Sequence, residues 1–120
     1  MWSLVDIMLN SKTPIHTYCT GYAVSCGFFI FLAGEKRFIS KHAKLLFHQH
    51  SCGGYSEYQN MKESMEEYDK MWRDFEEFIT SRSKITLERL NEVRERKIDW
   101  IIYNEEALNL NVATDLITKF

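Results

Sequence analysis

Cysteine is scarce: three residues in 120, Cys19, Cys26 and Cys52, with no C-x-x-C pair. An odd, sparse set is not a disulfide framework and lacks zinc-ligand spacing, so a reducing compartment is expected. Proline occurs once, at Pro14, and glycine five times, which excludes a collagen-like or Pro/Gly-rich chain. Charge of one sign is also lacking, with 15 Lys+Arg against 17 Asp+Glu and a net charge of −2. No basic excess marks a nucleic-acid partner, and no polybasic stretch marks an anionic membrane. The longest apolar run, residues 28–33, is far too short to span a bilayer. Residues 1–10 show no charged segment followed by an apolar run and a small-residue cleavage site, so a cytoplasmic location is expected. No cofactor or metal signature is present. What the chain does have is 45% hydrophobic residues, enough to argue against disorder and for a real, if small, core.

The pattern along the chain alternates helix and strand. Residues 2–10 read as helix, opening without a cap, and Pro14 stops it after a Ser-Lys-Thr turn. Residues 15–20 read as a strand ending at Gly21, and residues 24–32, apolar almost all round, as a buried helix. Short strands are expected at 37–40 and 44–48, the second a continuous apolar run of the kind covered on both faces. A flexible loop at 51–54 precedes the longest helix, about 56–80. Met61, Met65, Tyr68, Trp72, Phe75 and Ile79 recur there at steps of three and four, one stripe at helical period. The stripe reads either as core packing or, in part, as a surface against a neighbouring subunit. Thr86 can cap a helix to about residue 96. A short extended piece at 100–102, a helical turn at 105–108 and a last strand at 112–117 follow. Strands separated by helices argue an α/β fold with a mostly parallel sheet. A single domain over 1–120 is expected, with a head formed by 1–54 and 97–120 and a handle region at about 55–96.

Three features carry chemistry. Gly21, Tyr22, Ala23, Val24, Ser25, Cys26 and Gly27 place a serine between small residues where a strand meets a buried helix. Such a junction exposes a hydroxyl at a helix N-terminus, and the next backbone N–H, that of Cys26, can serve an oxyanion. The plain alternative is that Ser25 caps the helix. His48 ends an apolar strand and is a candidate for the base that a serine nucleophile needs within hydrogen-bond reach; it can equally be a core or loop histidine. His50, two residues on, has the same side-chain direction on an ideal strand but lies in the loop. Asp99 stands before an aromatic and a short apolar stretch, suited to orient an imidazole, or is a solvated loop aspartate.

Together these resemble the Clp protease proteolytic subunit family, over most of the chain. The resemblance rests on Lys12-Thr13-Pro14, on the Ser25 motif, which matches the family's G-x-A-x-S-M-G, and on Ala33-Gly34 with Lys36-Arg37-Phe38. It rests also on His48-Gln49 with Gly53-Gly54, on the long helix, and on Asp99 followed by Glu106-Ala107. Asp99 stands eight residues before Ala107, as the family's acid does before the alanine of its E-A pair. Cys26 replaces the usual Met, His50 replaces the Pro of an H-Q-P motif, and one residue is added before Gly53.

The resemblance implies a Clp/crotonase-like fold and a serine endopeptidase with Ser25 as nucleophile, His48 as base, Asp99 as its orienting acid and the Cys26 N–H in the oxyanion hole. It implies homo-oligomeric, stacked heptameric rings joined through the long helix, polypeptide substrates, and an AAA+ Clp ATPase unfoldase that feeds them in. It also implies further upstream polypeptide, with early strands and a second oxyanion N–H. Without that part, an unpaired strand edge near 15–20 and weak activity are expected. Other implied readings are an inactive or remnant ring-assembling subunit and a phage-type protease that matures capsids. The crotonase-type acyl-CoA enzymes share the fold but use backbone N–H groups and carboxylates; the three residues above argue against them.

Overall fold

The computed structural model describes residues 1–48 and 57–119. Helix α1 (Trp2–Leu9) has no side-chain cap at its N-terminus and is held by packing instead. Its Val5 is fully buried, and its Trp2 ring stacks on Phe75 and meets Phe78 edge-on. After Pro14 come strand β1 (Thr17–Cys19), strand β2 (Tyr22–Val24) and helix α2 (Cys26–Leu32), then β3 (Arg37–Ile39) and β4 (Lys44–Phe47). β1 pairs with β3, and β2 with β4, both parallel. The chain thus steps from one sheet to a second, twice, in the same direction. The two corners are stitched together: Ser40 N–H donates to Cys19 O at 3.0 Å, and Lys44 N–H to Gly21 O at 2.9 Å.

Helix α3 (Tyr58–Arg82) is followed by α4 (Leu87–Glu95), whose first turn is capped by Thr86 accepting from the Arg89 N–H at 3.2 Å. Strand β5 (Trp100–Tyr103) joins the second sheet antiparallel to β4, and after α5 (Asn104–Asn109) strand β6 (Asp115–Leu116) joins the first sheet parallel to β3. The orders are β1-β3-β6 and β2-β4-β5, so three of the four pairings are parallel. The expected α/β class, with a mostly parallel sheet and one long helix, is what the structure has.

Three boundaries differ from the sequence reading. The expected strand at 15–20 is only β1, and Gly21 marks a change of sheet. The helix expected from Val24 starts at Cys26, because Tyr22, Ala23 and Val24 are drawn into pairing with Lys44, Leu45 and Leu46. Three residues are too few to show a strand period. The last strand shrinks to two residues, since Val112 and Ala113 are buried in the turn that precedes it.

Buried aromatics dominate the core: Phe28, Phe29, Phe47, Trp72, Phe75 and Phe78. The stripe on α3 divides. Trp72, Phe75 and Ile79 are buried, but Met61 is 47% and Met65 64% exposed. Only the C-terminal half of the helix is therefore a core element.

A buried cation holds the first sheet to the helices. Arg37 is 5% exposed and donates through Nε to Val112 O (2.6 Å), through Nη1 to Gly34 O (3.1 Å) and through Nη2 to Asn111 O (2.6 Å) and Arg82 O (3.2 Å). Arg82 in turn donates to Leu32 O and Gly34 O at 2.7 and 3.0 Å. Among the described residues neither guanidinium has a carboxylate partner. Burial, followed by the like charge of Arg82, pushes Arg37 down to about 10, so it stays charged at neutral pH. Gly34 fits this crossing because a Cβ there would collide with the Thr17 hydroxyl and the Lys36 carbonyl.

Candidate functional site

Ser25 sits between β2 and α2 with φ 55 and ψ −114. Three non-glycine residues have positive φ among those described: Ser25, Lys97 and Asn111. The ψ of Ser25 lies outside the left-handed helical well, so its backbone is strained by roughly 1–3 kcal/mol. Its neighbours hold it there. The Ser25 N–H donates to Leu46 O at 3.2 Å, extending the β2–β4 ladder by one bond, and Ser25 O accepts from the Phe28 N–H at 3.0 Å to start α2. The hydroxyl does not cap the helix. That removes the plain reading of this serine, and a strained strand-to-helix turn is the geometry that lifts a nucleophile clear of a sheet. Cys26, exposed, is the first residue of α2; its N–H precedes the first intrahelical bond.

His48 follows β4 directly and is half-buried. Asp99 directly precedes β5 and is exposed. The antiparallel register pairs Phe47 with Trp100. Continued by one residue, it sets His48 opposite Asp99. The parallel register pairs Val24 with Leu46, so Ser25 lies level with Phe47, one residue short of His48. Leu45, Phe47, Trp100 and Ile102 are all buried on the core side. By strand alternation His48 and Asp99 fall on the other face, with Leu46 and Ile101. The three sequence candidates therefore lie at the same end of the second sheet, although they come from positions 25, 48 and 99. Among the described residues the Asp99 carboxylate makes no hydrogen bond or ion pair. Gln49, His50, Cys52, Gly53 and Gly54 lie outside the described residues.

Among the described residues no group of three or more His, Cys, Asp or Glu could hold a metal ion, and no helix is long and apolar enough to cross a membrane. Cys19 is buried, and burial pushes its thiol above the ordinary value. Sequence reasoning missed the surroundings of Trp100. Its indole Nε1 donates to Glu106 Oε1 at 3.1 Å, and the Arg89 guanidinium lies over its ring at 4.5 Å. No spacing rule links these three positions.

The profile of the Clp protease family matches residues 1–119. Among curated proteins the chain is similar to the ATP-dependent Clp protease proteolytic subunit 2 of Synechococcus sp. (strain CC9605), 26% identical over 118 residues. That match takes in 97% of this chain and 59% of the relative, so the chain spans rather more than half the relative's length. With its strand–serine–helix turn, its mixed sheet and a family match over nearly every residue, the chain belongs to the Clp protease family.

Proposed function

We propose that the chain is a subunit of a serine endopeptidase. Ser25 Oγ attacks the scissile carbonyl, His48 takes the proton and returns it to the leaving amine, and Asp99 orients the imidazole and stabilises its cation. The Cys26 N–H, at the start of α2, helps bind the oxyanion. The observation that carries this reading is the strained Ser25 backbone at the sheet end where the register, continued by one residue, would set His48 opposite Asp99. On this reading the missing Asp99–His48 hydrogen bond closes when substrate or assembly completes the site, as catalytic contacts often tighten only in the complex.

Family membership supports the rest of the reading: homo-oligomeric stacked heptameric rings, a chamber that hides the sites, polypeptide substrates, and an AAA+ Clp ATPase that unfolds them. The exposed half of the α3 stripe, Met61 and Met65, is the surface offered for assembly. A fluorophosphonate or β-lactone probe tests the chemistry. It should label Ser25, and His48→Ala and Asp99→Asn should sharply slow labelling. Labelling that survives Ser25→Ala would sink the reading.

A further inference from the structure

With no side-chain partner among the described residues, Asp99 takes its direction from the backbone on either side. On the upstream side the chain leaves α4 through Lys97 at φ 54, and the Ile98 N–H donates back to Val93 O at 3.0 Å. On the downstream side stands Trp100, 7% exposed and paired across the sheet with Phe47. In a strand, neighbouring side chains point to opposite faces, so the rotation that seats Trp100 in the core is the rotation that turns Asp99 toward the face of His48. Whatever locks the indole locks the carboxylate.

The indole is locked from two elements. From α5, Glu106 accepts its N–H. From α4, Arg89 stacks on its ring at 4.5 Å, itself held by Glu92 at 3.2 Å. A buried indole needs some acceptor for its N–H, and that alone would be ordinary. Here a charged acceptor and a stacked cation close on a residue next to the candidate acid, and neither is hydrogen-bonded or ion-paired to the acid.

We propose that Arg89 and Glu106 are positioning residues for Asp99, acting through the Trp100 ring; this rests on the peptidase reading above. The test is the rate of fluorophosphonate labelling at Ser25 in Trp100→Phe, Glu106→Leu, Glu106→Gln and Arg89→Leu, each made in the parent protein and again in Asp99→Asn. Glu106 is exposed, so its substitutions leave the core packing intact. Trp100→Phe, Glu106→Leu and Arg89→Leu should slow labelling on the order of tenfold or more, because small misplacements of a catalytic group are costly. Glu106→Gln keeps an accepting oxygen and should label at the parent rate. In the Asp99→Asn background the same substitutions should cost almost nothing further, since the group they aim is gone. Equal losses in both backgrounds would make the clamp merely structural and overturn the inference. Unchanged rates in the parent background would overturn it too, while leaving Ser25-dependent labelling in place. Parent labelling that does not depend on Ser25 would remove the peptidase reading and this inference with it.

Discussion

The sheets β1-β3-β6 and β2-β4-β5 are each three strands wide and are entered alternately as far as β4, but their strand ends differ. β1 and β3 end in plain corners that carry the chain onward, and the main polar feature of their sheet, Arg37, has each nitrogen facing a backbone carbonyl. β2 and β4 end at a serine with strained backbone and at a histidine, and β5 begins after an exposed aspartate. The first sheet has its buried guanidinium matched to backbone carbonyls. The other keeps strain and an unmatched carboxylate at one end. Polar groups matched in place add stability; groups held short of their best partners are what a reaction can use.

That contrast can be broken experimentally, beginning where the effect is largest. Ser25→Ala should abolish probe labelling while leaving the fold intact, since its hydroxyl caps nothing; an intact-mass spectrum of the treated protein decides it. Arg37→Leu takes the donor from the buried Val112 carbonyl and one donor each from the Asn111 and Gly34 carbonyls, and should cost about 3 kcal/mol or more. Urea unfolding reads that loss, and a midpoint unchanged from the parent would mean that the cation is not what ties the first sheet down. Ser25→Gly runs the opposite way. Glycine accepts the positive φ freely, so the protein should gain about 1 kcal/mol even as labelling disappears. A loss of stability there would show that the backbone at residue 25 is not strained. Met61→Glu with Met65→Glu, both on the exposed half of α3, should change folding stability by less than about 0.5 kcal/mol. Sedimentation velocity should nonetheless show smaller assemblies, and an unaltered profile would move the assembly surface elsewhere.

Much of the fold was legible because its signals are local. The stripe on α3 showed in its helical spacing, the start of α4 in Thr86, and the end of α1 in the approach to Pro14. Strand β2 was not legible. Residues 22–24 form a strand only because Lys44, Leu45 and Leu46 lie alongside, and pairing partners twenty-odd positions apart leave no periodic trace. The candidate site was legible as residue types in order, and Asp99 was singled out by the resemblance, in which the acid stands eight residues before the alanine of an E-A pair.

From the sequence alone came the helix–strand alternation, the long amphipathic helix, and a serine, a histidine and an aspartate in a recognisable order, since each depends on neighbours a few positions away. Tertiary structure decided which half of the α3 stripe is core, that Ser25 carries strain and caps nothing, that His48 and Asp99 flank the paired residues Phe47 and Trp100, and that Arg89 and Glu106 close on Trp100. Each of these depends on the register of one strand against another, or on which helix covers which face. Those are set by the joint burial of distant side chains, so no single stretch of chain encodes them.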